Sequence, residues 1–172
     1  MMKYKGTHVF DAPMEFVEQA REKRFERPEI FPEMKSRKEI ERVEDGHILK
    51  SKRTMELSAN VPPALRKILS PDMMKCIDES VYDRKTGVHT WNVVPMFKTD
   101  LFHCFGRSRY QEIQEDGRVK TKRELELAVE VKVPFLGKLA EQVIMEGYRK
   151  SVEKDFKTIA KMIRILKEEA EA

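Results

Sequence analysis

The chain has 172 residues, 40% of them hydrophobic and 37% charged. That is one domain's length with enough apolar side chain for a real core, and it excludes a disordered chain. Lysine and arginine number 34 against 30 aspartates and glutamates, leaving only +4, and acids interleave with bases (Glu124, Glu126 and Glu130 beside Lys120, Lys122 and Lys132). This excludes a clustered cationic surface for nucleic acid and leaves weak attraction to an anionic membrane open.

Mean hydropathy is -0.61, and no segment approaches the ~18 apolar residues of a membrane span. Met1–Phe10 holds no apolar stretch of the secretory-signal kind. Two cysteines, Cys76 and Cys104, make neither a disulfide framework nor a zinc site, and they point to a reducing, cytoplasmic setting.

Lys3–Phe10 reads as an opening strand. Pro13–Phe25 reads as a short helix, with Phe16, Val17 and Ala20 on one side. Arg37–Val43 and His47–Leu57 flank Glu44-Asp45-Gly46, and Met74–Tyr82 and Val88–Val94 flank Asp83-Arg84-Lys85-Thr86-Gly87. Both pairs read as hairpins around turn-forming residues. Phe102–Ile113 is aromatic and β-rich, and Glu115-Asp116-Gly117 turns it into Val119–Val133. In that last segment valine, leucine and arginine alternate with lysine and glutamate, the period of a strand with one wet and one buried face. The sum is about seven strands, nearly all antiparallel.

Between strands, Ser58–Asp72 is different. Val61-Pro62-Pro63 denies the sheet its backbone donors, and Ala64–Leu69 is a short amphipathic turn closed by Ser70-Pro71. It reads as a lid over Pro62–Leu69. After Pro134-Phe135-Leu136-Gly137, apolar residues recur at helical steps through Leu139, Val143, Ile144, Val152, Phe156, Ile159, Ile163 and Leu166. This predicts one helix over Gly137–Glu168. A helix of such length with no equal partner must lie across the concave sheet, giving an α+β fold.

The residues also point to candidate sites. A sheet wrapped around one helix leaves a wedge that is either packed or a cavity, and Ala140 and Gly147 thin the helix face beside it. The expected lining is Leu125 and Leu127 from the last strand with Val143, Ile144 and Gly147 from the helix. Arg53 shares a strand face with Leu49, Met55 and Leu57, and Arg123 with Val119, Leu125 and Leu127. An unpaired buried charge is costly, so each needs a ligand anion, an internal acid such as Asp78 or Glu79, or a place at a wet strand end. His8 falls on the inward face and reads as a satisfied core residue or as a base. No catalytic motif or metal-ligand spacing is present, and no cofactor is expected.

The order strand, helix, six antiparallel strands, long helix resembles the helix-grip fold of the START-like (Bet v 1-like, SRPBCC) superfamily. Phe10-Asp11-Ala12-Pro13-Met14-Glu15-Phe16-Val17 is similar to its exit from the first strand, and Val131-Lys132-Val133-Pro134-Phe135-Leu136-Gly137 to its entry into the last helix. Within it, Lys3–Phe10, Arg24-Phe25-Glu26-Arg27-Pro28, Pro62–Leu69, Thr90-Trp91-Asn92 and the closing helix most resemble the PRELI/MSF1 phospholipid-transfer branch and an uncharacterised bacterial branch. The resemblance implies a hydrophobic small molecule or lipid in the cavity. It places Lys23, Arg24 and Arg27 near the headgroup entrance and Lys154 at a headgroup-facing position; a second such position falls on Gly147. The lid has two readings: Arg66 and Lys67 touch an anionic membrane transiently while Leu65, Ile68 and Leu69 dip into it, or they are solvated charges over a lid packed on its own protein. A PRELI-type protein would reside in the mitochondrial intermembrane space and work with a small cysteine-rich partner, for which this sequence has no signature. Two other readings stay open: a cyclase or hydrolase using His8 or an inward acid, and an interaction module with a filled core.

Overall fold

The computed structural model describes residues 1–172. Strand β1 (Met2–Phe10) leads into α1 (Met14–Lys23), which continues as a single 3-10 turn over Arg24–Glu26. Six further strands follow: β2 (Glu39–Asp45), β3 (Ile48–Glu56), β4 (Lys75–Asp83), β5 (Val88–Pro95), β6 (Phe102–Glu115) and β7 (Arg118–Val131). Helix α2 (Gly137–Glu171) closes the chain. The strands form one antiparallel sheet in the order β1-β7-β6-β5-β4-β3-β2, so the first strand pairs with the last. This is the expected helix-grip architecture.

Local chemistry fixes the elements. In β7, Thr121, Arg123, Leu125, Leu127, Val129 and Val131 are buried, while Lys120, Lys122 and Glu124 of the other parity are not. The β6–β7 hairpin, the longest pair in the sheet, turns at Asp116 and Gly117, both at positive φ, a conformation that glycine adopts without steric cost.

Helix α2 is unbroken over 35 residues, about 52 Å at 1.5 Å per residue. It buries Ala140, Ile144 and Tyr148 near its start and Ile159, Met162, Ile163 and Leu166 near its end. Those two groups belong to two separate apolar cores. One gathers Leu65, Leu69, Trp91, Val93, Phe102, Leu127 and Val129 around the first half of α2. The other gathers Phe10, Val17, Ala20, Leu49, Tyr82 and Tyr110 around its second half.

Ser58–Asp72 forms no strand. It holds a 3-10 turn over Pro63–Leu65, and a second begins at Pro71. Its backbone hydrogen bonds, such as Leu69 N–H to Leu65 O at 2.7 Å, are local turns that reach neither a strand nor α2. It is held by side chains instead: Leu65 and Leu69 are fully buried and Ile68 partly so, while Arg66 and Lys67 point outward.

Candidate functional site

Register lines up small polar residues across the middle of the sheet. Leu49, Ser51 and Arg53 of β3 lie opposite Tyr82, Ser80 and Asp78 of β4. Tyr82 and Ser80 lie opposite His89 and Trp91 of β5, and His89 lies opposite Ser108 of β6. Ser108 in turn faces Leu125 of β7, and Tyr110 faces Arg123. All have the inward parity. Ser51 and Ser80 on the paired strands β3 and β4, and Ser108 on β6 beyond the His89 and Trp91 of β5, leave the sheet floor low where large apolar residues would otherwise meet the helix.

Above this floor, Tyr148, Ser151, Val152 and Asp155 of α2 fall at helical spacing on one face. The space between is a cavity of about 130 Å³. It lies between the two apolar cores and is walled by Arg24, Arg37, Arg53, Arg123, Asp78 and Asp155 together with the serines and aromatic rings.

The charges form a connected network. Asp155 accepts hydrogen bonds from Arg24 Nη1 and, on its other oxygen, from Arg123 Nη1 at 3.1 Å. Arg123 Nη2 donates to His8 Nδ1 at 3.1 Å. With Nδ1 an acceptor, His8 carries its proton on Nε2 and donates it to Glu153 at 2.8 Å. Burial would raise the Asp155 carboxyl, but Arg24 and Arg123 outweigh burial and hold it well below the usual carboxylate range. Burial pushes Asp78 the other way, up to about 6, against the pull of Arg37 and Arg53. Burial, with Arg21 second, holds His89 well below its ordinary value, so it is neutral.

Three buried side-chain atoms have no hydrogen-bond partner: Asp78 Oδ1, Trp91 Nε1 and Arg123 Nε. All three residues line the cavity.

The residues singled out from the sequence divide between this cavity and other places. Arg24, Arg53, Arg123 and Leu125 line it. Leu127 and Ile144 do not, because both are packed solid in the first core. Val143 and Gly147 line a different, outer groove between α2 and Ser58–Asn60. Gly147 is required there by close approach: a Cβ on it would lie 2.2 Å from the Ser58 carbonyl oxygen. It seats the lid rather than thinning the cavity roof. Lys154 is largely exposed, 3.8 Å from Glu33, and lines the outer groove.

Arg24 faces inward onto Asp155, while Arg27 stays outside with Glu29. Arg53 pairs with Glu39 at 3.4 Å and Glu22 at 3.8 Å, and Arg123 with Asp155, so neither takes its main partner from Asp78 or Glu79. Leu65 and Leu69 are core residues in this conformation, packed into one end of the first core. Arg66 and Lys67 lie on the lid's exposed face together with Pro63 and Ala64.

His8 has both ring nitrogens engaged and stacks on Phe156 at 4.6 Å; it does not line the cavity. Burial pushes the Cys76 thiol up to about 12 and raises Cys104 as well, leaving neither as a thiolate. No cluster of three His, Cys, Asp or Glu side chains is placed to hold a metal ion. No helix is long and apolar enough to cross a membrane.

Sequence reasoning missed Asp155, Arg37, His89, Tyr148 and the serines Ser51, Ser80 and Ser108. The serines carried a signal: each has the parity of buried neighbours in its strand. Asp155 carried almost none, sitting among Glu153, Lys154 and Lys157 like a solvated helix residue.

No curated protein matches the chain. Among solved structures, a protein of Thermus thermophilus is 16% identical over 96% of this chain and 99% of its own, with a TM-score of 0.60. The Zhui aromatase/cyclase of a Streptomyces species is 10% identical over 95% of this chain and 93% of its own, with a TM-score of 0.59. A START superfamily protein of Mycobacterium smegmatis is 15% identical over 95% of this chain and 98% of its own, with a TM-score of 0.54. At such identities what is shared is the START-like fold. The family described as "Protein of unknown function (DUF2505)" matches residues 7–163, from β1 to the last third of α2, and the chain belongs to it.

Proposed function

We propose that this protein binds a small amphipathic molecule between the sheet and α2. The observation that carries this reading is the unfilled polar cavity interrupting two well-packed apolar cores. Protein interiors are close-packed, and a domain built only to be stable would place a large side chain where Ser108 sits. The same observation weighs against an interaction module with a filled core. The shared START-like fold supports ligand binding as its general use.

Native mass spectrometry tests this on the purified protein. The expected result is a non-covalent adduct on the wild type that is absent from Ser108→Leu, whose side chain fills the floor. An adduct retained equally by the variant contradicts the reading.

A second reading, lipid transfer of the PRELI kind, is favoured by one feature: Ser58–Asp72 makes no backbone hydrogen bond to a strand or to α2. A cavity of about 130 Å³, close to the ~150 Å³ that takes benzene in an engineered core, does not hold an acyl chain. Lipid uptake therefore requires Leu65 and Leu69 to leave the core, joining the cavity to the outer groove past Ser151 and Asp155, which line both. In that event Arg66 and Lys67 face the bilayer. Arg66→Glu with Lys67→Glu should then slow transfer from anionic vesicles at low salt, and equal rates contradict this second reading.

A further inference from the structure

We propose that the cavity selects a small organic anion of single-ring size that also carries a hydroxyl or N–H donor. This rests on the ligand-binding reading above and names the chemistry that the site takes.

Charge is the first ground. Five arginines line the cavity, Arg21, Arg24, Arg37, Arg53 and Arg123, against three acids, Glu22, Asp78 and Asp155. Arg24 and Arg123 share one carboxylate, that of Asp155. Arg53 is matched to Glu39 and Glu22 on its outer side. Arg37 lines the cavity and the outer groove beside α2, and its guanidinium has neither an ion pair nor a hydrogen bond in the structure. The cavity thus holds uncompensated positive charge beside low-dielectric walls, where a carboxylate gains most.

The unpartnered atoms supply the second ground. Arg123 Nε and Trp91 Nε1 are buried donors, and Asp78 Oδ1 is a buried acceptor. Buried polar groups in folded proteins find partners, and all three residues line the one cavity. A ligand anion whose oxygens accept from these N–H groups, and whose hydroxyl or N–H donates to Asp78, is the chemistry that would satisfy them.

Shape is the third. About 130 Å³ admits one ring and its substituents, and the rings of Tyr82, Trp91, Tyr110 and Tyr148 present flat apolar walls.

Isothermal titration calorimetry with four probes tests this. They are 4-hydroxybenzoate, its neutral isostere 4-hydroxybenzamide, 4-methylbenzoate, which lacks the donor, and toluene. The expected order places 4-hydroxybenzoate at least tenfold tighter than either the amide or the methyl compound, with toluene weakest. Arg37→Gln breaks no ion pair, and circular dichroism verifies that the fold is kept. It should weaken the two carboxylates at least fivefold and leave the amide unchanged. Asp78→Asn should weaken the hydroxyl compounds and spare 4-methylbenzoate.

Equal affinity for all four probes, or toluene alone binding, overturns the anion inference while leaving a ligand cavity in place. An amide as tight as the carboxylate overturns it too. No binding of any probe overturns both this inference and the cavity reading at this ligand size.

Discussion

Asp155 of α2 and Arg123 of β7 meet at 3.1 Å inside the protein, and the second oxygen of Asp155 takes Arg24 from the turn after α1. One carboxylate therefore ties the closing helix to the sheet and to the first helical segment. Arg123 and Arg24 are almost wholly buried. Removing the shared acid leaves two buried cations without a counter-charge, which costs about 3–5 kcal/mol. Asp155→Asn should lower unfolding free energy by about that amount in denaturant titration. A loss below about 1 kcal/mol, the worth of a surface pair, contradicts the buried network.

Asp78 has the opposite electrostatics. Burial raises its carboxyl from 3.8 to about 6, although Arg37, Arg53 and Arg24 pull it down; Asp155 adds to the rise. A raised acid favours its protonated form in the folded state. The wild type is therefore free of penalty below the unfolded value and loses stability as pH rises through about 6. The full displacement corresponds to roughly 3 kcal/mol. Asp78→Asn should accordingly be more stable than the wild type at about pH 8 and equal to it near pH 4. A variant less stable than the wild type at both pH values contradicts this. The expected gain in stability with a loss of ligand affinity is the trade that binding sites commonly make.

Gly147 and Ser58 touch backbone to backbone across the lid. A methyl group at 147 would sit 2.2 Å from the Ser58 carbonyl oxygen, and a carbonyl cannot swing aside as a side chain can. Alanine gains about 1 kcal/mol of helix propensity over glycine, so a helix free of the lid would be stabilised. Gly147→Ala should instead push Ser58–Asn60 outward and speed hydrogen exchange over Ser58–Asp72. Unchanged exchange with a more stable protein contradicts the seating role.

The sheet and helices were legible in the sequence. Alternation in Val119–Val133 carried the β7 face, and the three Gly-ended turns placed the hairpins within a residue or two. The site was less legible, because it was sought as an apolar stripe. Val143, Ile144 and Leu127 are apolar for packing, whereas the cavity exists where inward residues are small or polar. Parity alone showed that Ser51, Ser80 and Ser108 point inward. Only the pairing register, which a single strand does not encode, sets Ser51 against Ser80 and brings Ser108 onto the same floor across His89. Arg53 and Arg123 were visible as charges on buried faces, but their partners came from other elements: Glu39 from β2, Glu22 from α1 and Asp155 from α2. Long-range ion pairs of this kind have no signature in local pattern.

Trp91 is the only tryptophan in the chain, and its ring lines the cavity, so its fluorescence reads the central claim directly. Titration with 4-hydroxybenzoate should change Trp91 emission saturably in the wild type, and the change should vanish in Ser108→Leu while the fold is retained. Emission from Trp91 that ignores the ligand in the wild type, or responds equally in Ser108→Leu, would contradict a ligand site between the sheet and α2.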